Sequence, residues 1–157
     1  MPRIELNLDI DAPVETVYEI ARRVEEFPTF MNDLQSLTVL ERSPDGNRTV
    51  TEWVGQVREF RMTIKWVQED IWDPEQKRDD FHLIRGDMDA MSGYWQFSAA
   101  PNGTRFSSVL DYEYNVPLIG PMIKALIQKK LTENLASQMK AIKARAESGS
   151  QQPNPTS

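Results

Sequence analysis

The side chains of this chain that could do chemistry are few. They are three acidic pairs, Glu69-Asp70, Asp79-Asp80 and Asp87/Asp89, one histidine, His82, and the polar groups Arg85, Ser108, Tyr112 and Tyr114 set among aromatic residues. Two carboxylates side by side could hold a hard cation or work as acid and base. Adjacent residues on a strand point to opposite faces, however, so neither Glu69-Asp70 nor Asp79-Asp80 can hold a metal jointly from a regular strand. Asp87 and Asp89 read as a solvated loop, and Arg85-Gly86-Asp87 as a chance tripeptide without bearing on adhesion. His82 falls opposite Phe81 on the polar side of its strand and reads as a surface histidine. With no cysteine and a single histidine, disulfides, thiol catalysis, classical zinc sites and most catalytic triads are excluded. No G-x-S-x-G, Walker A or G-x-G-x-x-G pattern is present, and neither a metal nor a cofactor is expected.

The elements that must position these groups follow from periodicity. At 157 residues the chain fits one domain. A predicted strand over residues 3–10 is followed by DAPVETVYEIARRVEEFPTFM, in which Val14, Val17, Tyr18, Ala21 and Val24 recur at helical spacing. Pro13 suits the first helical position, with Asp11 or Ala12 as the cap, and Pro28 breaks the pattern before a short turn near Phe30 and Met31. From residue 34 the period becomes two, predicting strands over 34–41, 48–57, 60–72, 77–85, 91–100 and 104–116. Turn chemistry in SPDGN, DPEQK and PNGT implies sequential antiparallel pairing, and Asn102-Gly103 is the type I′ signature. A closing helix over 121–146 carries Ile123, Ile127, Leu131, Leu135, Met139, Ile142 and Ala146 on one stripe. The expected organisation is one domain over residues 1–147 and a disordered tail over 148–157, SGSQQPNPTS. In order β-α-α-β6-α, this is an α+β fold with helices on one face of an antiparallel sheet.

Alternation assigns the sheet faces. Thr51, Trp53, Gly55 and Val57 share the inward side of one strand, Met62, Ile64 and Trp66 of the next, then Phe81, Leu83 and Arg85, then Met91, Gly93, Trp95 and Phe97, and last Phe106, Ser108, Leu110, Tyr112 and Tyr114. Glu52, Arg61, Lys65, Glu69, Arg78, Asp80, Gln96 and Arg105 fall on the opposite, solvated side. The inward tryptophans are either a solid core or the wall of a cavity, and periodicity leaves both open. Arg85, Ser108, Tyr112 and Thr51 would each need a partner if buried, and an apolar hollow with a few polar groups is the form of a small-molecule site. The expected ligand-binding set is Trp53, Met62, Trp66, Phe81, Leu83, Arg85, Trp95, Phe106, Ser108 and Tyr112, with Met122 and Leu126 from the closing helix. Loop parity gathers residues 57–60, 86–91 and 115–120 at one rim, where Phe60, Met88, Met91, Leu118 and Ile119 read as a gate or as a plug for the domain end.

The segments DAPVETVYEIARRVEEFPTFM, RTVTEW, IWDPEQ, GDMDAMSGYWQF and GTRFSSVLDYEYNVPLIGP resemble the START-like helix-grip superfamily, SRPBCC, and within it the polyketide cyclase/dehydrase and coenzyme Q-binding branch. The resemblance spans residues 3–146 and rests mainly on structural positions. It implies a helix-grip fold, a curved seven-stranded antiparallel sheet wrapped on a long C-terminal helix. With the apolar rim, it implies a carrier of an apolar small molecule such as a lipid, isoprenoid quinone or polyketide. The alternative it implies is an aromatase/cyclase, which folds a poly-β-keto chain in the cavity and promotes aldol cyclisation and dehydration. Such chemistry needs an acid/base group and an orienting cation, and only Arg85, Tyr112, Tyr114 and Ser108 are in place to supply them. A protein-binding rim is a third reading.

A net charge of −6 argues against general nucleic-acid binding. The closing helix nevertheless holds six basic residues against Glu133 and Glu147, a pattern that would allow transient contact with an anionic membrane surface, or serve simply as a solvated face. The N-terminus lacks the basic and apolar regions of a secretory signal, so a cytoplasmic location is expected. Oligomeric state is not legible.

Overall fold

The computed structural model describes residues 2–57, 61–114 and 121–151, with side chains throughout except at Met62 and residues 149–151. The gate candidates Phe60, Leu118 and Ile119 lie outside the described residues, as does the side chain of Met62.

Seven strands form one antiparallel sheet: β1 (Arg3–Ile10), β2 (Leu34–Arg42), β3 (Arg48–Val57), β4 (Met62–Asp73), β5 (Arg78–Gly86), β6 (Ala90–Ala100) and β7 (Gly103–Glu113). The spatial order β1-β7-β6-β5-β4-β3-β2 is a meander from β2 to β7 with β1 added beside β7. Between β1 and β2 come helix α1 (Val14–Arg22) and a 3₁₀ helix (Val24–Thr29), and the chain closes with α2 (Pro121–Gln151). This is the α+β helix-grip arrangement expected from the period-2 run and the closing stripe.

Pro13 is itself the cap of α1, in extended conformation at φ −61° and ψ 148°, rather than its first helical residue. Its carbonyl accepts from the Val17 amide, so the cap opens the helix without a side-chain hydrogen bond. Pro28, with no amide to donate, sits inside the 3₁₀ segment, which buries Val24 and Phe27. The β6–β7 turn is not type I′. Among the described residues the only non-glycine residues with positive φ are Arg61 and Lys77, so Asn102 does not adopt the required conformation. Gly103, at φ 147°, is needed for a different reason: a Cβ there would lie 2.3 Å from the Ile10 carbonyl oxygen, where β1 turns into α1.

The core lies between the inner sheet face and three helical pieces. Phe97 and Phe106, 4.5 Å apart at their ring centres, pack edge-on to Trp95, and Tyr18 of α1 packs edge-on to Trp72 and Phe97. The second half of α2 closes this core through Leu135, Met139, Ile142 and Ala146. It is tied down at its end, where Lys143 donates to the Asp9 carbonyl, Arg145 to Glu26, and the Asp11 amide to Glu147. Lys130, Lys143 and Arg145 therefore all have carboxylate partners. The first turn of α2 stands free of the core, with Met122 84% exposed and Ile123 43% exposed. The helix continues through residues 148–151, beyond the expected end near Ala146, and residues 152–157 lie outside the described residues. No helix among the described residues is long and apolar enough to cross a membrane.

Candidate functional site

A cavity of about 100 Å³ lies between the inner sheet face, the 3₁₀ helix and the middle of α2. Its aromatic wall comes from register. Trp53 of β3 and Trp66 of β4 are directly paired, and their indoles stack with centroids 5.6 Å apart and planes 12° from parallel. Each indole N–H is satisfied along its own strand, Trp53 donating to Thr51 Oγ1 at 2.8 Å and Trp66 to Gln68 Oε1 at 2.7 Å. Indoles fixed in this way present apolar faces with no unpaired donor. Phe27 packs edge-on to Trp53 and tilted against Trp95, while Phe81, Met88 and Met91 close one side and Leu131, Asn134, Leu135 and Gln138 of α2 the other.

The floor is polar and acidic. Gln68 donates its side-chain amide to Asp70 Oδ1 at 2.8 Å. Asp70 pairs with Phe81 and Trp72 with Asp79, so the two aspartates are diagonal neighbours on the same inner face of β4 and β5. Asp70 is 3% exposed, Asp79 2%, and both line the cavity. Burial raises the pKa of each, and for Asp79, pushed well above the carboxylate range, the charge of Asp70 adds to it. The hydrogen-bonding interaction between them raises Asp79 further and opposes the rise at Asp70. Chemically this is a pair of buried carboxyl groups that both disfavour charge.

The acidic pairs read along the chain are therefore the wrong pairs. Glu69 faces out, accepting from Arg48 and lying 3.7 Å from the exposed His82, and Asp80 faces out against Arg78. Their sequence neighbours Asp70 and Asp79 turn in and meet each other across the strands. The signal that would have found them is parity, since Asp70 shares a face with Trp72, and Asp79 with Phe81. Asp87 is a turn residue, accepting from the Lys65 amide at 2.8 Å. Among the described residues no cluster of three or more His, Asp or Glu is placed to hold a metal ion.

Of the expected ligand-binding residues, Trp53, Trp66, Phe81 and Trp95 line the cavity, as do Met88 and Met91 from the rim. Phe106 and Ser108 are buried behind it in the core, and Leu83 is half-buried beside it. Tyr112, its phenol pKa raised by burial, borders a second hollow with Pro2, Tyr114, Lys124 and Ile127. Arg85 is a correction. A register shift between Val67 and Gln68 pairs Leu83 with Gln68 but Arg85 with Val67, leaving Ile84 as the extra residue. One added residue turns Arg85 to the outer, exposed face. Met122 and Leu126 are also corrected: Met122 is exposed, Leu126 only half-buried, and the residues of α2 that reach the cavity, Leu131, Asn134, Leu135 and Gln138, lie further along the helix.

Comparison with known proteins bears on this geometry. The sequence profile described as "Polyketide cyclase / dehydrase and lipid transport" matches residues 10–139. The actinorhodin polyketide synthase bifunctional cyclase/dehydratase of Streptomyces coelicolor is 28% identical over 115 residues, 70% of this chain but 34% of that protein, so the chain spans about a third of its length. The crystal structure of TTHA0849 from Thermus thermophilus superposes with a TM-score of 0.88 at 32% identity, covering 95% of this chain and 99% of that one. The Zhui aromatase/cyclase from Streptomyces sp. R1128 superposes with a TM-score of 0.84 at 15% identity over 93% of each chain, a likeness of fold alone. A sequence match over most of the chain, on a seven-stranded sheet gripping a C-terminal helix, places this chain in the polyketide cyclase/dehydrase and lipid transport family with a START-like helix-grip fold.

Proposed function

We propose that the chain binds one apolar small molecule in the cavity between sheet and α2 and carries it without converting it. The observation that supports this is the wall itself: stacked Trp53 and Trp66, with Phe81, Trp95, Met88, Met91 and Leu135 facing an internal space. The cavity of about 100 Å³ is smaller than the ~300–1,000 Å³ typical of drug-sized ligands. Entry of a lipid, quinone or polyketide then needs the rim to open, with Met88 and Met91 acting as the gate. Methionines suit that role because their unbranched side chains repack cheaply.

One observation favours cyclase chemistry as the second reading: Asp70 and Asp79 put two buried carboxyl groups, the residue type of acid/base chemistry, at the cavity floor. Against it, Arg85 faces away, and no cation lines the cavity among the described residues to orient an oxyanion. Native mass spectrometry of freshly purified protein, followed by tryptophan-fluorescence titration with medium-chain lipids, short-chain quinones and aromatic polyketides, tests the proposal. One-to-one, saturable quenching with unchanged ligand supports the carrier. Turnover of a poly-β-ketone would replace it with the cyclase, and no saturable change with any class would remove both.

A further inference from the structure

We propose that Asp70 and Asp79 form the polar end of the cavity and select apolar ligands that end in an uncharged hydroxyl, rejecting those that end in a carboxylate or phosphate. The inference rests on the cavity-binding reading above and narrows it to a ligand class.

Three observations carry it. Both carboxyl groups are all but fully buried and both face the cavity. Asp79 Oδ1 has no hydrogen-bond partner among the described residues, an acceptor withdrawn from water on a residue that lines the cavity. Third, the cavity is lined by no Lys, Arg or His among those residues, and the cations nearest in sequence are engaged elsewhere. Lys77 sits over the Tyr18 ring and pairs with Glu15, Arg78 pairs with Asp80 and lies over Tyr94, and His82 meets Glu69 on the outer face.

The chemistry follows from charge. A fatty acid or phospholipid headgroup brought here would meet a carboxylate in a low-dielectric space with no counter-ion, which is strongly unfavourable. A hydroxyl can donate to the unpartnered acceptor, satisfying a group that is otherwise costly to leave unpaired. The raised pKa values of both aspartates agree with this, since burial disfavours charge at this end of the cavity. The side-chain amides of Gln68, Asn134 and Gln138 on the lining add neutral polar contacts that do not change the sign of the site.

The test uses three single-ring probes of one shape on the full chain at neutral pH: propylbenzene, para-propylphenol and para-propylbenzoate, measured by calorimetry. The wild type is expected to bind the phenol at least about tenfold more tightly than the benzoate. The Asp70→Asn/Asp79→Asn variant should bring that ratio to within roughly threefold while propylbenzene affinity changes by less than about twofold. A wild-type ratio near one, or a ratio the variant leaves unchanged, overturns the selectivity. If the double variant does not fold, as checked by circular dichroism, Asp70→Asn alone is read for the same collapse of the ratio. The outcomes separate the two claims: propylbenzene bound without discrimination between phenol and benzoate removes only this inference, whereas no binding of propylbenzene or para-propylphenol removes the cavity reading and this with it.

Discussion

Truncating Leu135 to alanine should weaken the fold by about 3 kcal/mol, whereas Met122→Ala should change stability by less than about 0.5 kcal/mol. Leu135 is 8% exposed and lies where the middle of α2 covers the cavity; Met122, on the same helix, is 84% exposed. Removing three carbons from a buried leucine forfeits about 2.4 kcal/mol of transfer free energy at ~0.8 kcal/mol per carbon. The enlarged void adds about 24 cal/mol for each Å³ left unfilled, and the site already borders empty space, so the total belongs toward the lower end of the roughly 2.7–5 kcal/mol range. For a domain of this size that corresponds to a melting temperature lower by about 6–12 °C. Urea titration of wild type and both variants, with the slope m unchanged, measures it directly. A loss above about 1 kcal/mol for Met122→Ala, or below about 1 kcal/mol for Leu135→Ala, would refute the placement of α2 and the cavity beneath it.

Arg85→Ala should leave the affinity for any cavity ligand unchanged within about twofold, because the bulge in β5 puts the side chain on the outer face; a tenfold loss in fluorescence titration would mean that the β4–β5 register is wrong. Stability against pH reports the aspartate pair. The folded pKa of Asp79 lies above the unfolded value of about 3.9, so its contribution is complete below that value and is lost as pH rises through the folded one. Asp111 and Glu147, lowered by hydrogen bonds from Arg3 and Lys143, slope the other way, contributing above their unfolded pKa and losing that contribution toward acid. The difference between wild type and Asp79→Asn isolates the pair: denaturant midpoints should show the variant gaining on wild type from acid toward neutral pH, and parallel curves would show that Asp79 does not bind a proton on folding.

The sequence determined what depends on local geometry. Side chains alternate every residue along a strand, so the common inward face of Trp53, Trp66, Phe81 and Trp95 could be read without knowing what each strand pairs with. The helical stripe through Leu135, Met139, Ile142 and Ala146 was legible for the same reason, as were the single closing helix and the antiparallel meander. What only the tertiary structure decided depends on pairing. Arg85 faces outward because β5 carries one residue more than β4 at their bulge, a property of two strands together that neither shows alone. Asp70 and Asp79 meet only once register sets them diagonally across β4 and β5; along the chain each was paired with a neighbour that points to the opposite face. The stripe on α2 likewise says which side of the helix is apolar but not which stretch rests on the sheet. Its anchors at Asp9, Asp11 and Glu26 hold the C-terminal half, so Leu131 and Leu135 cover the cavity while Met122 stays in water.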